Sequence, residues 1–175
     1  VVVTFNRLDL LQGLVAALTQ EPKLTSVVVV DNASTDGTGA WLASLPATTP
    51  PVLGRTLGHN TGGAGGFHTG MAWAMERGAD LVWLMDDDGL PDPGCLARLL
   101  EHTGNLDFWG PVVVDEADPE RLVFPIRLPG GTRVVHAMDD VRRAAPDGLL
   151  RDVVIPFNGV LVTRELIERI GLVRQ

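Results

Sequence analysis

Val1 to Phe5 and Val27 to Val30 are unbroken apolar, β-branched runs, the pattern of strands buried on both faces of a parallel sheet. Between them Leu11, Leu14, Val15 and Leu18 recur at helical spacing, so the opening of the chain predicts strand, helix, strand. Asp36 or Thr38 can cap a short second helix through Leu42; Pro46, Pro50 and Pro51 mark a loop, and Val52 to Leu57 predicts a third strand. Met71, Met75 and the alanines between them predict a third helix closed by Gly78, and Asp80 to Met85 a fourth strand. Further on, Pro93 to Glu101 predicts a helix, Phe108 to Val114 and Arg121 to Ile126 strands, and Val153 to Ile170 a strand running into a helix. Arg127 to Gly148, rich in glycine, proline and charge, reads as a surface excursion. This alternation implies an α/β fold: an open, mostly parallel, doubly wound sheet with helices on both faces, whose ligands bind beyond the carboxyl ends of the strands.

At 175 residues and 45% hydrophobic composition, residues 1–175 are expected to form a single domain. The net charge of −8, with basic residues scattered rather than clustered, excludes nucleic acid from the expected partners. Cys95 has no second cysteine to pair with and sits among Pro93, Gly94 and Leu96, as a half-buried structural thiol would. No apolar run approaches the ~20 residues of a membrane span, and no signal-peptide pattern is present. The expected compartment is the cytoplasm, with peripheral attachment at the inner face of the membrane through further segments. The chain opens on Val1 inside a strand and closes on Gln175 just past a helix, so it is expected to be part of something longer.

The fourth strand runs directly into Asp86, Asp87 and Asp88, and Gly89 with Pro91 turns the backbone there. In an extended segment alternate side chains share a face, so Asp86 and Asp88 can converge on one hard cation while Asp87 points elsewhere. Three adjacent carboxylates repel one another, and a divalent metal relieves that repulsion. A solvated acidic turn is the bland alternative, and the strand context favours the metal.

Gly58 to Gly70 precedes the third helix with little side-chain bulk, so its backbone can approach a phosphate or a sugar ring closely. Tight helix-sheet packing would explain the same glycines. The dinucleotide fingerprint fails because His68 stands where its third glycine belongs, and no phosphate-loop Gly-Lys-Ser/Thr exists. Asp31, at the end of the second strand, can accept hydrogen bonds from a base or ribose, whereas Ser34 and Asp36 suit helix capping.

Together, Thr4-Phe5-Asn6-Arg7, Asp31-Asn32-Ala33-Ser34-Thr35-Asp36-Gly37, Asn60-Thr61-Gly62-Gly63-Ala64-Gly65-Gly66-Phe67 and Asp86-Asp87-Asp88 resemble the family 2 inverting glycosyltransferases of GT-A fold. Within them the glycine-rich block and triple aspartate are similar to bacterial galactofuranosyl- and rhamnosyltransferases. The likeness runs in order from Val1 to about Leu100, the nucleotide-sugar-binding half. Residues 101–175 would begin the acceptor side, with Asn158-Gly159-Val160 and Leu166 to Leu172 resembling the stretch before the catalytic base. The resemblance implies that Asp31 contacts the nucleoside, that Thr4 and Arg7 lie along the nucleotide, and that Asp86 and Asp88 hold Mn²⁺ or Mg²⁺ on the diphosphate. Asp87 would help with ribose or sugar, and Asn60, Gly62, Gly63, Gly65 and Gly66 would line the donor. The implied donor is a UDP- or dTDP-linked sugar and the implied acceptor a glycan or a lipid-linked chain. An acceptor hydroxyl would attack the anomeric carbon opposite the leaving diphosphate, with a carboxylate base taking its proton. That base and a later metal-binding histidine are expected beyond Gln175; if the base lay within the chain, Asp139, Asp140 and Asp152 would be the first suspects. None of His59, His68, His102 and His136 matches that histidine, and all four stay unassigned.

Three other readings compete. A haloacid-dehalogenase-type phosphatase also ends a strand on aspartates, but Leu90 replaces its threonine and the sole lysine, Lys23, lies upstream. A sugar nucleotidyltransferase would carry its glycines after the first strand, where Asn6-Arg7-Leu8-Asp9 stands. A nucleotide-sugar-binding module without turnover needs only the donor half.

Overall fold

The computed structural model describes residues 1–153 and 157–174. Its main sheet has six strands in the order β3 (Val52–Thr56), β2 (Val27–Asp31), β1 (Val2–Thr4), β4 (Leu81–Asp86), β8 (Asn158–Thr163) and β5 (Phe108–Trp109). The first four run parallel; β8 is antiparallel to both of its neighbours. From β1 the chain winds outward through β2 and β3, then returns to place β4 on the other side of β1. The crevice between the ends of β1 and β4 is therefore a topological switch point, where open α/β sheets bind ligands.

Helices cover both faces, as expected. Beneath α1 (Leu8–Leu18), α2 (Thr38–Ser44) and α4 (Cys95–Leu100) lies a cluster that includes Val2, Val29, Trp83 and Leu161. Leu11, Leu14, Val15 and Leu18 supply the buried stripe of α1, each contributing roughly 1.5–3 kcal/mol by leaving water. On the other face α3 (Gly62–Glu76) and α6 (Arg164–Ile170) cover Val3, Val30 and Leu84 with Phe67, Met71 and Ile167.

Several boundaries differ from the sequence pattern. The glycine-rich block is not a loop ahead of α3; Gly62 to Gly66 form its first turns. A Cβ on Gly66 would lie 2.5 Å from Val3 Cγ1, so the helix meets β1 at a distance only glycine permits. Glycine's poor helix propensity is overridden by that contact. The strand expected over Phe108 to Val114 shortens to β5, because the chain leaves the sheet at Gly110 and Pro111. The supposed excursion after Arg127 is ordered: β6 (Arg121–Arg127) pairs with β7 (Val134–Ala137), and α5 (Met138–Ala144) packs against them. Leu122, Ile126, Val135 and Val141 give this unit its own small core. Of the segment expected from Val153 to Ile170, residues 154–156 lie outside those described, and the remainder forms β8 and α6.

Candidate functional site at the carboxyl edge of the sheet

Thr4, Asp31 and Asp86 end three adjacent parallel strands, and the register pairs Thr4 with Asp31 and Val3 with Asp86. Because Val3 faces α3, its registered neighbour Asp86 stands on the same side, above the start of that helix. The strand stops at Asp86, while Asp87 and Asp88 lie in a turn. The alternation inferred for Asp86 and Asp88 thus rests on a turn rather than on extended backbone. Asp87 does point away as expected, into the protein.

There Thr4 Oγ1 donates a buried 2.6 Å hydrogen bond to Asp87 Oδ2. Arg7 Nη1 donates to Asp87 Oδ1 at 3.2 Å and to Asp88 Oδ2 at 2.8 Å, bridging two of the three carboxylates. Asp87, and secondarily Asp88, hold the guanidinium even more firmly protonated than usual. Among the described residues no such cation is bonded to Asp86. Burial first, then the charges of Asp88 and Asp87, push its carboxyl up to about 6, with Arg7 opposing. Among the described residues no three His, Cys, Asp or Glu side chains gather as a metal cage. Two carboxylates suffice where substrate phosphates and water complete the shell, as is usual for Mg²⁺. The half-buried Asp86 and exposed Asp88 are hard oxygen donors that fit such an ion.

Asp31 is fully buried and committed within the chain: Oδ1 accepts from Ser34 N at 2.9 Å and Oδ2 from Thr56 Oγ1 at 3.0 Å. Its carboxylate shapes the loop after β2 and presents no free face to a nucleoside in this conformation. Ser34 is no helix cap; its Oγ accepts from Asn6 N, and Asn6 Oδ1 accepts from Thr35 N. Asp36 serves two helices at once, taking Leu8 N of α1 with Oδ2 and Thr38 N and Oγ1 of α2 with Oδ1. The N-cap position of α2 is Gly37, in left-handed backbone, in place of the Asp36 or Thr38 expected. The loops after β1 and β2 are thereby sewn together, and each carries a residue at positive φ, Asn6 and Ala33. Such strained positions persist where surrounding bonds hold them, and they concentrate at ligand sites.

Asn32, which the motif reading passed over as a site residue, ties this loop to α3. Its Oδ1 accepts from Thr61 N at 2.8 Å and its Nδ2 donates to Gly62 O at 2.9 Å. Asn60 Oδ1 accepts from Gly62 N at 2.7 Å. The five donor-lining candidates of this block then divide. Asn60, Gly62 and Gly63 are exposed at the helix start, and a Cβ on Gly63 would meet nothing within 4 Å. Gly65 and Gly66 are buried, and a Cβ on Gly65 would lie 2.4 Å from Thr61 Cβ. Packing accounts for these two glycines without a ligand.

The other candidates lie outside this constellation. Asp139 pairs with Arg142, and Asp140 with Arg133 and Arg143, all in the small unit around α5. Burial pushes the half-buried Cys95 thiol up, away from thiolate chemistry. His68 Nδ1 lies 2.8 Å from Val173 O, a structural contact.

The family model described as glycosyl transferase family 2 matches residues 1–134. The chain belongs to that family. It is 34% identical over 98% of its length to galactofuranosyltransferase GlfT1 of Mycolicibacterium smegmatis, covering 58% of that relative. For the Mycobacterium tuberculosis protein of the same name the figures are 37%, 98% and 57%. Undecaprenyl-phosphate mannosyltransferase of Micrococcus luteus is 38% identical over 77% of the chain and 50% of its own length. The chain thus spans under three fifths of these curated relatives. Among solved structures, mannosyltransferase PcManGT of Pyrobaculum calidifontis superposes with a TM-score of 0.65 at 21% identity, over 98% of this chain and 45% of that one. The glycosyltransferase A architecture expected from the motifs is the architecture observed.

Proposed function

We propose that this chain is the donor-binding part of an inverting glycosyltransferase that moves galactofuranose, or a related sugar, from a UDP-linked donor to a glycan or lipid-linked acceptor. The observation that carries this reading is Asp86, a half-buried carboxylate with no cation bonded to it among the described residues, set at the switch point beside Asp88 and the exposed start of α3. Asp86 and Asp88 would hold Mn²⁺ or Mg²⁺, which when bound neutralises charge developing on the leaving diphosphate. Thr4 and Arg7 fix Asp87 and so the turn that carries both carboxylates. Asn60 already takes the Gly62 N–H, and the bare Gly63 would leave the following α3 amides open to a phosphate or a sugar. Galactofuranose takes precedence because the relatives named for it match along nearly the whole chain. GDP-mannose is the second donor to test: the Pyrobaculum calidifontis enzyme was solved with GDP-Man and Mn²⁺. No described helix is long and apolar enough to cross a membrane.

Calorimetry with Mn²⁺ and UDP tests the donor site directly. Asp88→Ala should weaken binding at least tenfold, or ~1.4 kcal/mol. Equal affinity in parent and variant would remove Asp88 from the site.

A further inference from the structure

Asp86, Asp87 and Asp88 put three carboxylates at one turn, and among the described residues Arg7 is the one cation bonded to any of them. A guanidinium grips a carboxylate best as a fork, two nitrogens on the two oxygens of one group. Here a single nitrogen, Nη1, is shared between Asp88 Oδ2 at 2.8 Å and Asp87 Oδ1 at 3.2 Å. No other side-chain hydrogen bond from Arg7 forms among the described residues, and the side chain is half-exposed. Ion pairs so open to water contribute little, so this contact can exchange. Asp87 does not depend on it, because the buried Thr4 hydroxyl holds that carboxylate at 2.6 Å. Asp88 is held differently: Arg7 is its one bonded partner among the described residues, on a carboxylate proposed above as a metal ligand.

On the metal reading, which this inference deepens, a guanidinium and a divalent cation compete for the same carboxylate. Arg7 cancels part of the negative charge that draws the cation in, and two positive groups on one carboxylate repel each other. We infer that Arg7 is the resident counterion of the acidic turn: it steadies Asp88, yields that carboxylate to an arriving divalent cation, and turns its freed guanidinium to the phosphate that shares the cation. A planar guanidinium suits phosphate oxygens as well as carboxylate ones. Arg7 thereby opposes the cation alone and favours cation and diphosphate together, which couples the two binding events.

The test is calorimetry with Mn²⁺ alone, and with UDP at saturating Mn²⁺, on the parent, Arg7→Ala and Arg7→Gln. The glutamine keeps most of the side chain's length and removes only the charge. Both variants should bind Mn²⁺ alone more tightly than the parent, by about threefold or more, the size of one half-exposed ion pair. Both should bind UDP more weakly by a similar factor, about threefold or more, through the lost contact to phosphate. The opposite signs are the signature, since an Arg7 that merely supports the turn would weaken both ligands when removed. Unchanged or weaker Mn²⁺ binding in either variant would overturn the inference, while binding of Mn²⁺ and UDP by the parent would leave the donor reading standing. Undiminished affinity for UDP would overturn the handover to phosphate. A parent that binds neither Mn²⁺ nor UDP would remove the inference and the donor reading together.

Discussion

Replacing Thr4 with valine exchanges one hydroxyl for a methyl at nearly constant shape, in the middle of the sheet. The hydroxyl makes a single side-chain bond, 2.6 Å to Asp87 Oδ2, and both residues are buried. A hydrogen bond to a charged group contributes ~1.5–3 kcal/mol, and the added methyl returns up to ~0.8 kcal/mol by burial. Arg7 still reaches the other carboxylate oxygen at 3.2 Å, so Asp87 keeps one partner. The expected net loss is ~1–2 kcal/mol. At a urea slope of ~2 kcal/mol/M the unfolding midpoint should fall by ~0.5–1 M with the slope unchanged. A double-mutant cycle with Asp87→Ala should return a coupling of ~1 kcal/mol or more. Asp87 lies between the two proposed metal ligands, so Thr4→Val should also weaken Mn²⁺ binding by about tenfold while leaving both ligands in place. A midpoint shift under ~0.2 M, together with unchanged Mn²⁺ affinity, would refute the view that Thr4 acts through Asp87.

Folding favours the protonated form of Asp86, whose carboxyl sits at about 6 against an ordinary 3.8. Its contribution to stability is therefore whole below pH ~4 and is lost as the pH rises through about 6, by at most ~3 kcal/mol before solvent screening is discounted. Urea midpoints of the parent and Asp86→Asn should diverge in the variant's favour between pH 4 and 7 without metal, and saturating Mn²⁺ should reverse the difference; a pH-independent difference would contradict the assignment. Gly65→Val should cost ~2 kcal/mol or more in thermal unfolding, because its Cβ lands against Thr61. Gly63→Val should leave stability near the parent's and lower donor affinity, and an undisturbed affinity would take the start of α3 out of the donor site.

The strands were legible because burial on both faces writes itself as continuous runs such as Val27 to Val30, and α1 because one buried stripe repeats at helical spacing. The start of α3 was not, since glycines placed for contact with Val3 and Thr61 look locally like a loop. The unit around α5 escaped because its core draws one or two residues from each short element, too few for a period to show. In the site, the aspartates and the glycine-rich block were visible as motifs. The burial of Asp31 and the bonds of the Asn32 amide depend on residues distant in sequence, and composition carries no trace of them.

Asn32 joins the end of β2 to the start of α3 through both ends of one buried amide. A joint of this kind behaves as a fixed jamb: that side of the crevice cannot swing outward without breaking bonds that water would replace only after the core had opened. Across the crevice the turn from Asp87 to Gly89 is held, among the described residues, by the buried Thr4 and the half-exposed Arg7. Both walls are therefore set before any ligand arrives, and a ligand would meet a doorway already framed.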